Sequence, residues 1–369
     1  MDGVTLLTDY KGHFGSKHAA VPYRSGFDRD LLARSFAQHG WRADFLSFCD
    51  VDFRAVNWHQ RPVLYTSAQD HALHYKAFVE DIVLGLETAG AWVIPPFRLL
   101  RAHHNKVFME ILRDLRKPGA ASDLAARSFG TLEELRQRMA QLSVPAVVKP
   151  AAGDMGKSVI LCRDRSELLR GAARVSSSRH LPTDLWDLGR RIRRKGYRRE
   201  SLHRKRFIVQ PFLAGLTNDW KVLVYGRKYY VLRRRVRTGD FRASGSGRFE
   251  FVREVPSQVL DFASAVFAGF EVPQISLDIA VDGDRLHLLE FQAVYFGTTT
   301  IDEAPFHFER SPTAWQPIDG ASRVEEEFAL SVAEYLRERK SEQGAGTAAP
   351  RGADRAADPR PPVQGVLPT

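Results

Sequence analysis

The sequence predicts an α/β protein whose first part is an open, largely parallel sheet and whose C-terminal part is α+β. Three observations carry that prediction. From Val4 to Pro96 short apolar runs alternate with helically spaced stretches, the pattern of strands and crossover helices. Beyond residue 206 strand candidates follow one another directly, and the last two flank an Asp-Gly turn, a hairpin signal. With 369 residues, 44% hydrophobic and 27% charged, the chain is long and apolar enough for two or three sub-domains with their own cores.

VTLLTD (4 to 9) has the run of a buried strand, and LLARSFAQHG (31 to 40) carries helical spacing up to Gly40. ADFLSF and VLYTSA (63 to 68) read as further strands, YKAFVEDIVLGLETAG as a helix stopped at Gly90, and AWVIPP as a short strand. Next come the helix KVFMEILRDL and the helix TLEELRQRMAQL, in which Thr131 and Glu134 have capping-box spacing. The strand PAVVKP leads into a Gly-containing turn, the strand VILC and the helix SELLRGAARV. RFIVQPFL, DWKVLVYG and KYYVLRRRV are strands, and TGDFRASGSGRF is a loop. SQVLDFASAVFAGF is a helix, QISLDIAVDGDRLHLLEFQAV the hairpin, and VEEEFALSVAEYLRER a closing amphipathic helix. Residues 341–369, rich in Gly, Ala, Pro and Arg, are expected to be a disordered tail.

The formal charge of +10 is concentrated. RRIRRKGYRRESLHRKR (190 to 206) holds ten Lys or Arg and one acid, so nine of the ten net charges lie there. A protein basic over its whole surface, the usual nucleic-acid binder, is therefore not expected. Only Tyr197 offers that stretch a stacking platform. It reads as a solvated, partly disordered insertion, as a dock for an anionic glycan or peptide, or, least favoured, as an RNA or DNA contact. No apolar run reaches membrane-spanning length, and no positive n-region precedes an apolar one, so a cytoplasmic location is expected. Cys49 and Cys162 lie far apart in strand-like stretches and read as small buried hydrophobes. The pairs His71/His74 and His103/His104 match no metal spacing and are assigned packing or surface roles.

Two segments carry chemistry. AAGDMGKS ends like a P-loop, but Ala151 stands where that loop needs glycine, and VILC after it is a strand. What remains is a turn between strands, preceded by Lys149, that can lie over phosphates or simply be a surface hairpin. Asp278, Glu290 and Gln292 fall on paired strands, with Glu290 and Gln292 on one face. They offer oxygen ligands suited to Mg²⁺, the alternative being a solvated strand face.

In order and spacing, Asn105-Lys106, VVKPAAGDMGKSV, IVQPFLAG, DWKVLVYGRKYYVLRRR, GDFRASGSG and LDIAVDGDRLHLLEFQ resemble the ATP-grasp superfamily, over roughly residues 100 to 335. The stretch KYYVLRRRVRTGDFRASGSG is most similar to the amino-acid ligase branch that includes the ribosomal-protein glutamate ligase. The resemblance implies a pre-ATP-grasp α/β domain over 1–98 and an ATP-grasp domain over 99–340. The latter divides into a lid sub-domain (about 115–209, with the basic insertion 179–206) and a central sub-domain (about 210–340). It further implies that Lys106 and Lys149 contact ATP phosphates, that Gly153, Asp154, Met155, Gly156, Lys157 and Ser158 form the loop over them, and that Gln210, Pro211, Phe212 and Leu213 hold adenine. Asp219 or Thr217 would meet the ribose, and Lys221 stands where the branch commonly has Arg. Asp278, Glu290 and Gln292 would bind Mg²⁺, with Mn²⁺ as a substitute, and Arg235 and Arg242 would act on the acceptor carboxylate and acyl phosphate.

Gln292 replaces the usual Asn and Ser244 another Asn, which leaves the substrates open. The implied reaction is ligation of a carboxylate to an amine through an acyl phosphate, with release of ADP and phosphate. Its alternatives are an ATP-grasp protein that binds nucleotide without ligating, as a regulatory or scaffold subunit, and an ATP-grasp phosphotransferase. The expected partners are ATP, an acid and an amine, with a homodimer admitted and nucleic acid disfavoured.

Overall fold

The structure, a computed structural model, describes residues 2–17, 19–68, 70–115, 124–153, 158–236 and 249–347. The chain opens with β1 (Asp2–Thr8), α1 (Arg29–Gln38), β2 (Trp41–Ser47), β3 (Pro62–Tyr65), α2 (His74–Thr88) and β4 (Trp92–Ile94). These strands form the expected parallel sheet, in the order β2-β1-β3-β4. Asp28 caps α1 by accepting from the Leu31 amide at 3.0 Å. Leu7 and Val63 pack with Val79, Val83 and Leu86 of α2, while Val4 and Leu6 pack with Leu32 and Phe36 of α1, so the helices cover both faces. Cys49 departs from expectation: it lies in a 3₁₀ turn after β2 and is exposed, beside the Ser47 hydroxyl at 3.2 Å.

α3 (Phe97–Ala102) and α4 (Lys106–Leu115) lead to β5 (Arg127–Phe129), α5 (Leu132–Arg138), β6 (Ala146–Pro150), β7 (Ile160–Cys162), α6 (Arg165–Ser176), α7 (Leu181–Arg193) and β8 (Phe207–Pro211). The four strands make an antiparallel sheet, β5-β8-β6-β7, in the segment expected to be the lid and labelled so below. Both halves of the Thr131/Glu134 capping box are formed. Lid strands and helices bury their own core, including Leu132, Val148, Cys162, Leu168 and Phe207. The basic stretch is not a loose insertion: α7 occupies its first part, and its return is tied down by the Tyr197 hydroxyl, which donates to Asp187 at 2.6 Å.

The remaining elements are β9 (Asn218–Tyr225), β10 (Lys228–Arg235), β11 (Phe249–Glu250), α8 (Ser257–Phe270), β12 (Gln274–Asp282), β13 (Arg285–Gln292), α9 (Thr299–Asp302), β14 (Phe306–Arg310), β15 (Trp315–Asp319) and α10 (Val324–Thr347). They build an antiparallel central sheet ordered β13-β12-β9-β10-β14-β15, with β11 paired to β10. One face packs Val222, Val231, Ile275 and Leu277 against Val259, Ala263 and Val266 of α8. On the other face Leu223, Tyr225 and Tyr230 share a core with α10 and with Val4, Leu6 and Phe36 of the first sheet. Phe328 of α10 sits at the centre, edge-on to Phe14, Phe27 and Phe36 at 5.6 to 6.4 Å. Buried Glu325 receives Lys17 Nζ at 3.1 Å and the Asp28 amide at 3.0 Å. Backbone helix runs to Thr347, seven residues into the expected tail, because Ser341 to Thr347 contains no proline to stop it. The rest of the tail lies outside the described residues.

Candidate functional site

A cleft of about 360 Å³, within the range of small-ligand sites, lies between the lid sheet and the central sheet. Its floor is set by strand alternation on the central sheet. On β9, Trp220 and Val222 join the α8 core, which turns Asp219 and Lys221 to the cleft; on β10, Tyr229 and Val231 do the same and turn Arg234 inward. Register then aligns the polar groups: Arg234 opposes Asp219, Lys221 opposes Asp278, and Asp278 opposes Glu290. The β12–β13 ladder shifts between Asp278 and Ile279, leaving Leu289 as the extra residue and aiming Glu290 at Asp278.

These groups form a connected network. Arg234 donates to both Asp219 oxygens at 2.7 Å and reaches Asp278 at 2.8 Å. Lys221 bonds the Ser276 hydroxyl at 2.9 Å and the other Asp278 oxygen at 3.3 Å. Burial works to raise the Asp278 carboxyl, but Arg234 and Lys221 outweigh it and bring it down to about 2, so it is a carboxylate at any physiological pH. Its two neighbouring acids push Arg234 above the usual guanidinium range against the opposing effect of burial. Gln292 donates to Glu290 at 2.9 Å.

The opposite wall comes from α4 and the lid. Lys106 begins α4 and donates to the Gly153 carbonyl at 2.8 Å; Gly153 has φ +140°, a region in which a side chain is strained. Lys149, on β6, donates to Gln210 Oε1 on β8 at 2.6 Å. Burial, then the nearby Lys106 ammonium, push Lys149 down to about 8. Gln210 is buried, and its Nε2 is without a partner among the described residues, a donor aimed at whatever occupies the cleft. Pro211, Phe212 and Leu213 continue this wall, and Ser158 also lines the cleft. Asp154, Met155, Gly156, Lys157 and Arg242 lie outside the described residues.

The structure thus brings together Lys106, Lys149, Gly153, Ser158, Gln210 to Leu213, Asp219, Lys221, Asp278, Glu290 and Gln292. It does not bring Arg235. That side chain is on the odd-numbered face of β10, largely exposed and paired with Glu250 at 2.9 Å, while Arg234 faces the cleft. Three further groups were missed by sequence reasoning. Arg234 could have been found only from the parity of β10. Glu110 and Arg113, one turn apart on α4, form a buried pair at 3.0 Å, and Arg113 also donates to the Leu289 carbonyl beside Glu290 at 3.1 Å. His103 is buried at the cleft edge, both ring nitrogens unpartnered among the described residues; burial holds its pKa well below the ordinary value, so the ring is neutral.

Two carboxylates paired across strands, one held ionised, fit Mg²⁺, which takes one or two acids and keeps waters and phosphate oxygens as its other ligands. Among the described residues no group of three or more His, Cys, Asp or Glu forms a full metal cage. Among them too, no helix is long and apolar enough to cross a membrane.

No protein-family model matches the chain, and a search of curated proteins finds no match. Solved structures do resemble it. A D-cycloserine synthetase is 15% identical at a TM-score of 0.53, with 90% of this chain and 99% of that one covered. The D-alanine–D-alanine ligase of Bacillus anthracis is 14% identical at 0.50, covering 93% and 100%. A RiPP-associated ATP-grasp ligase of Chryseobacterium gregarium, solved with ADP and a leader and core peptide, is 13% identical at 0.51, covering 92% and 97%.

Proposed function

The chain has the ATP-grasp fold, and on that premise we propose that it is an ATP-dependent, ADP-forming ligase joining a carboxylate to an amine. The observation that carries this reading is the meeting in one cleft of Lys106 and Lys149 with the directly paired Asp278 and Glu290. Cations on one wall suit a polyphosphate, and the acids opposite suit the metal ion that accompanies it.

In this reading Gln210 Nε2 and the Pro211 carbonyl meet the adenine edge, with Phe212 and Leu213 completing its pocket. Lys106, Lys149 and the segment from Gly153 to Ser158 hold the phosphates. Asp278 and Glu290 hold Mg²⁺, with Gln292 steadying Glu290; the ion supplies charge that offsets the phosphates during transfer. The acid's carboxylate oxygen attacks the γ-phosphorus and ADP leaves. Amine nitrogen then attacks the acyl carbon, phosphate leaves, and the nitrogen loses a proton to solvent. Arg234 and Lys221 stand where negative charge accumulates, so their task is placement and charge stabilisation without a protein nucleophile. Arg234 takes the role expected of Arg235; Arg242 keeps its expected role at the acceptor.

The test is ADP release by the full chain with ATP, Mg²⁺ and an array of acids and amines. Turnover that requires both an acid and an amine, and that is lost in Glu290→Gln, is the expected result. A second reading, nucleotide binding without ligation, draws on the engagement of both Asp278 oxygens by Lys221 and Arg234. Tight ATP binding with no ADP release from any pair would favour it. A phosphorylated end product in the mass spectrum would instead favour a phosphotransferase.

A further inference from the structure

Outside the cleft, α7 presents an exposed apolar stripe. Leu181, Leu185, Leu188 and Ile192 are spaced four, three and four residues apart and are 75%, 67%, 38% and 78% exposed. At about 100° per residue they fall in a stripe about 60° wide, and at about 1.5 Å per residue it is about 16 Å long. Among the described residues nothing covers it. The opposite side of the helix carries the anchor: buried Asp187 accepts from Tyr197 at 2.6 Å, Arg199 at 3.3 Å and the Glu200 amide at 3.2 Å. The helix is therefore held with its apolar side outward.

Charge surrounds the stripe. Arg190, Arg191, Arg193, Arg194, Lys195 and Arg198 are exposed, and among the described residues none has a carboxylate partner. Arg190 lies over the ring of Trp186, 70% exposed, at 4.5 Å. A contiguous exposed apolar stripe marks an interaction site, and the cations flanking this one favour an acidic partner.

We propose that this face of α7 is a docking seam for an acidic amphipathic helix of a partner polypeptide. Four-three-four spacing with Leu and Ile is the heptad seam by which one helix receives another. A helix lying in a lipid surface, or packing on a core, presents a broader apolar face than about 60°. A second copy of this chain would bring a matching set of unpaired cations against the first, which like-charge repulsion opposes. An acidic helix satisfies both stripe and charge. This proposal stands apart from the ligase reading, and its test reads binding alone.

The probe is a fluorescent peptide of about three heptads with Leu and Ile at the seam positions and Glu flanking them, compared with a scrambled version and one bearing Lys for Glu. Fluorescence anisotropy with the full chain should show saturable binding of the acidic peptide, about tenfold or more tighter than either control, weakening as salt rises. Leu185→Ser with Ile192→Ser should reduce affinity about tenfold or more, as truncating seam anchors does. Arg191→Gln with Arg193→Gln should flatten the salt dependence. An unchanged Tm in both variants, whose altered side chains face solvent, keeps the reading free of unfolding. Equal affinity for the scrambled peptide, or binding indifferent to the seam substitutions, overturns the proposal. So does a concentration-dependent dimer in sedimentation velocity, or cosedimentation with phosphatidylglycerol vesicles, if either is lost in the Leu185→Ser, Ile192→Ser variant; these outcomes assign the face to a second copy or to lipid.

Discussion

Replacing Lys149 by Met should change how stability depends on pH. The ammonium is brought from 10.5 to about 8 chiefly by burial. At about 1.36 kcal/mol per pH unit of separation, holding its charge inside the cleft costs the fold about 3 kcal/mol. Below pH 8 both folded and unfolded chains carry the proton and the whole cost is present. Between about 8 and 10.5 the folded chain has released it while the unfolded chain keeps it, so stability rises with pH, by up to about 1.4 kcal/mol per unit. Above 10.5 the contribution is level. Urea unfolding of wild type and Lys149→Met across pH 7 to 11 isolates this term, because other titrations cancel in the difference and the loss of the Gln210 hydrogen bond is a constant offset. The wild type should gain about 3 kcal/mol on the variant across that window. Adding ADP should shrink the gain, since bound phosphates hold the proton on, and ADP affinity should fall by up to about tenfold per unit above pH 8. A difference that is flat from pH 7 to 11 would refute the argument that burial sets this lysine's proton affinity.

Glu290→Gln should bind ATP yet lose at least about a hundredfold in ADP release at an unchanged Tm, since a charge that stabilises transfer is removed without changing shape; a steady-state assay beside a thermal melt reads both. Arg234→Met should cost about 3–5 kcal/mol in urea unfolding because it strands Asp219, whereas Arg235→Met, which breaks an exposed pair, should cost at most about 1. Arg113→Met should be destabilising to a similar degree as Arg234→Met, and adding Glu110→Met should restore much of the loss; an additive double mutant would contradict a buried coupled pair. In thiol titration with an aromatic disulfide Cys49 should react at once and Cys162 only on unfolding, because Cys162 is buried, with its thiol pushed up to about 11.

Where one physical signal dominated, the sequence was readable. Apolar runs bounded by Gly located the parallel sheet, Thr131 and Glu134 announced a helix start, and the Asp-Gly turn announced the hairpin that carries Asp278 and Glu290. The misses have separate causes. Tyr229 and Tyr230 are both buried, in different cores, so KYYVLRRR has no visible parity and Arg234 cannot be told from Arg235. For α7 the run of arginines concealed the leucine spacing, and the helix depends on Tyr197 and Arg199 returning to Asp187. β14 and β15 were overlooked because FHFER and WQPID each offer only five residues, and WQPID is largely exposed.

The core shared by α10, the first sheet and the central sheet bears on how such a protein could be rebuilt. Exchanging residues 1–98 for those of another chain would leave Phe328, Val332 and Leu336 facing a surface they were not shaped for. A graft meant to change what enters the cleft from that side would therefore have to carry α10 and the Ile301 to Ala304 turn with it. The lid, which keeps its hydrophobic interior to itself, is the part that could be exchanged as a module.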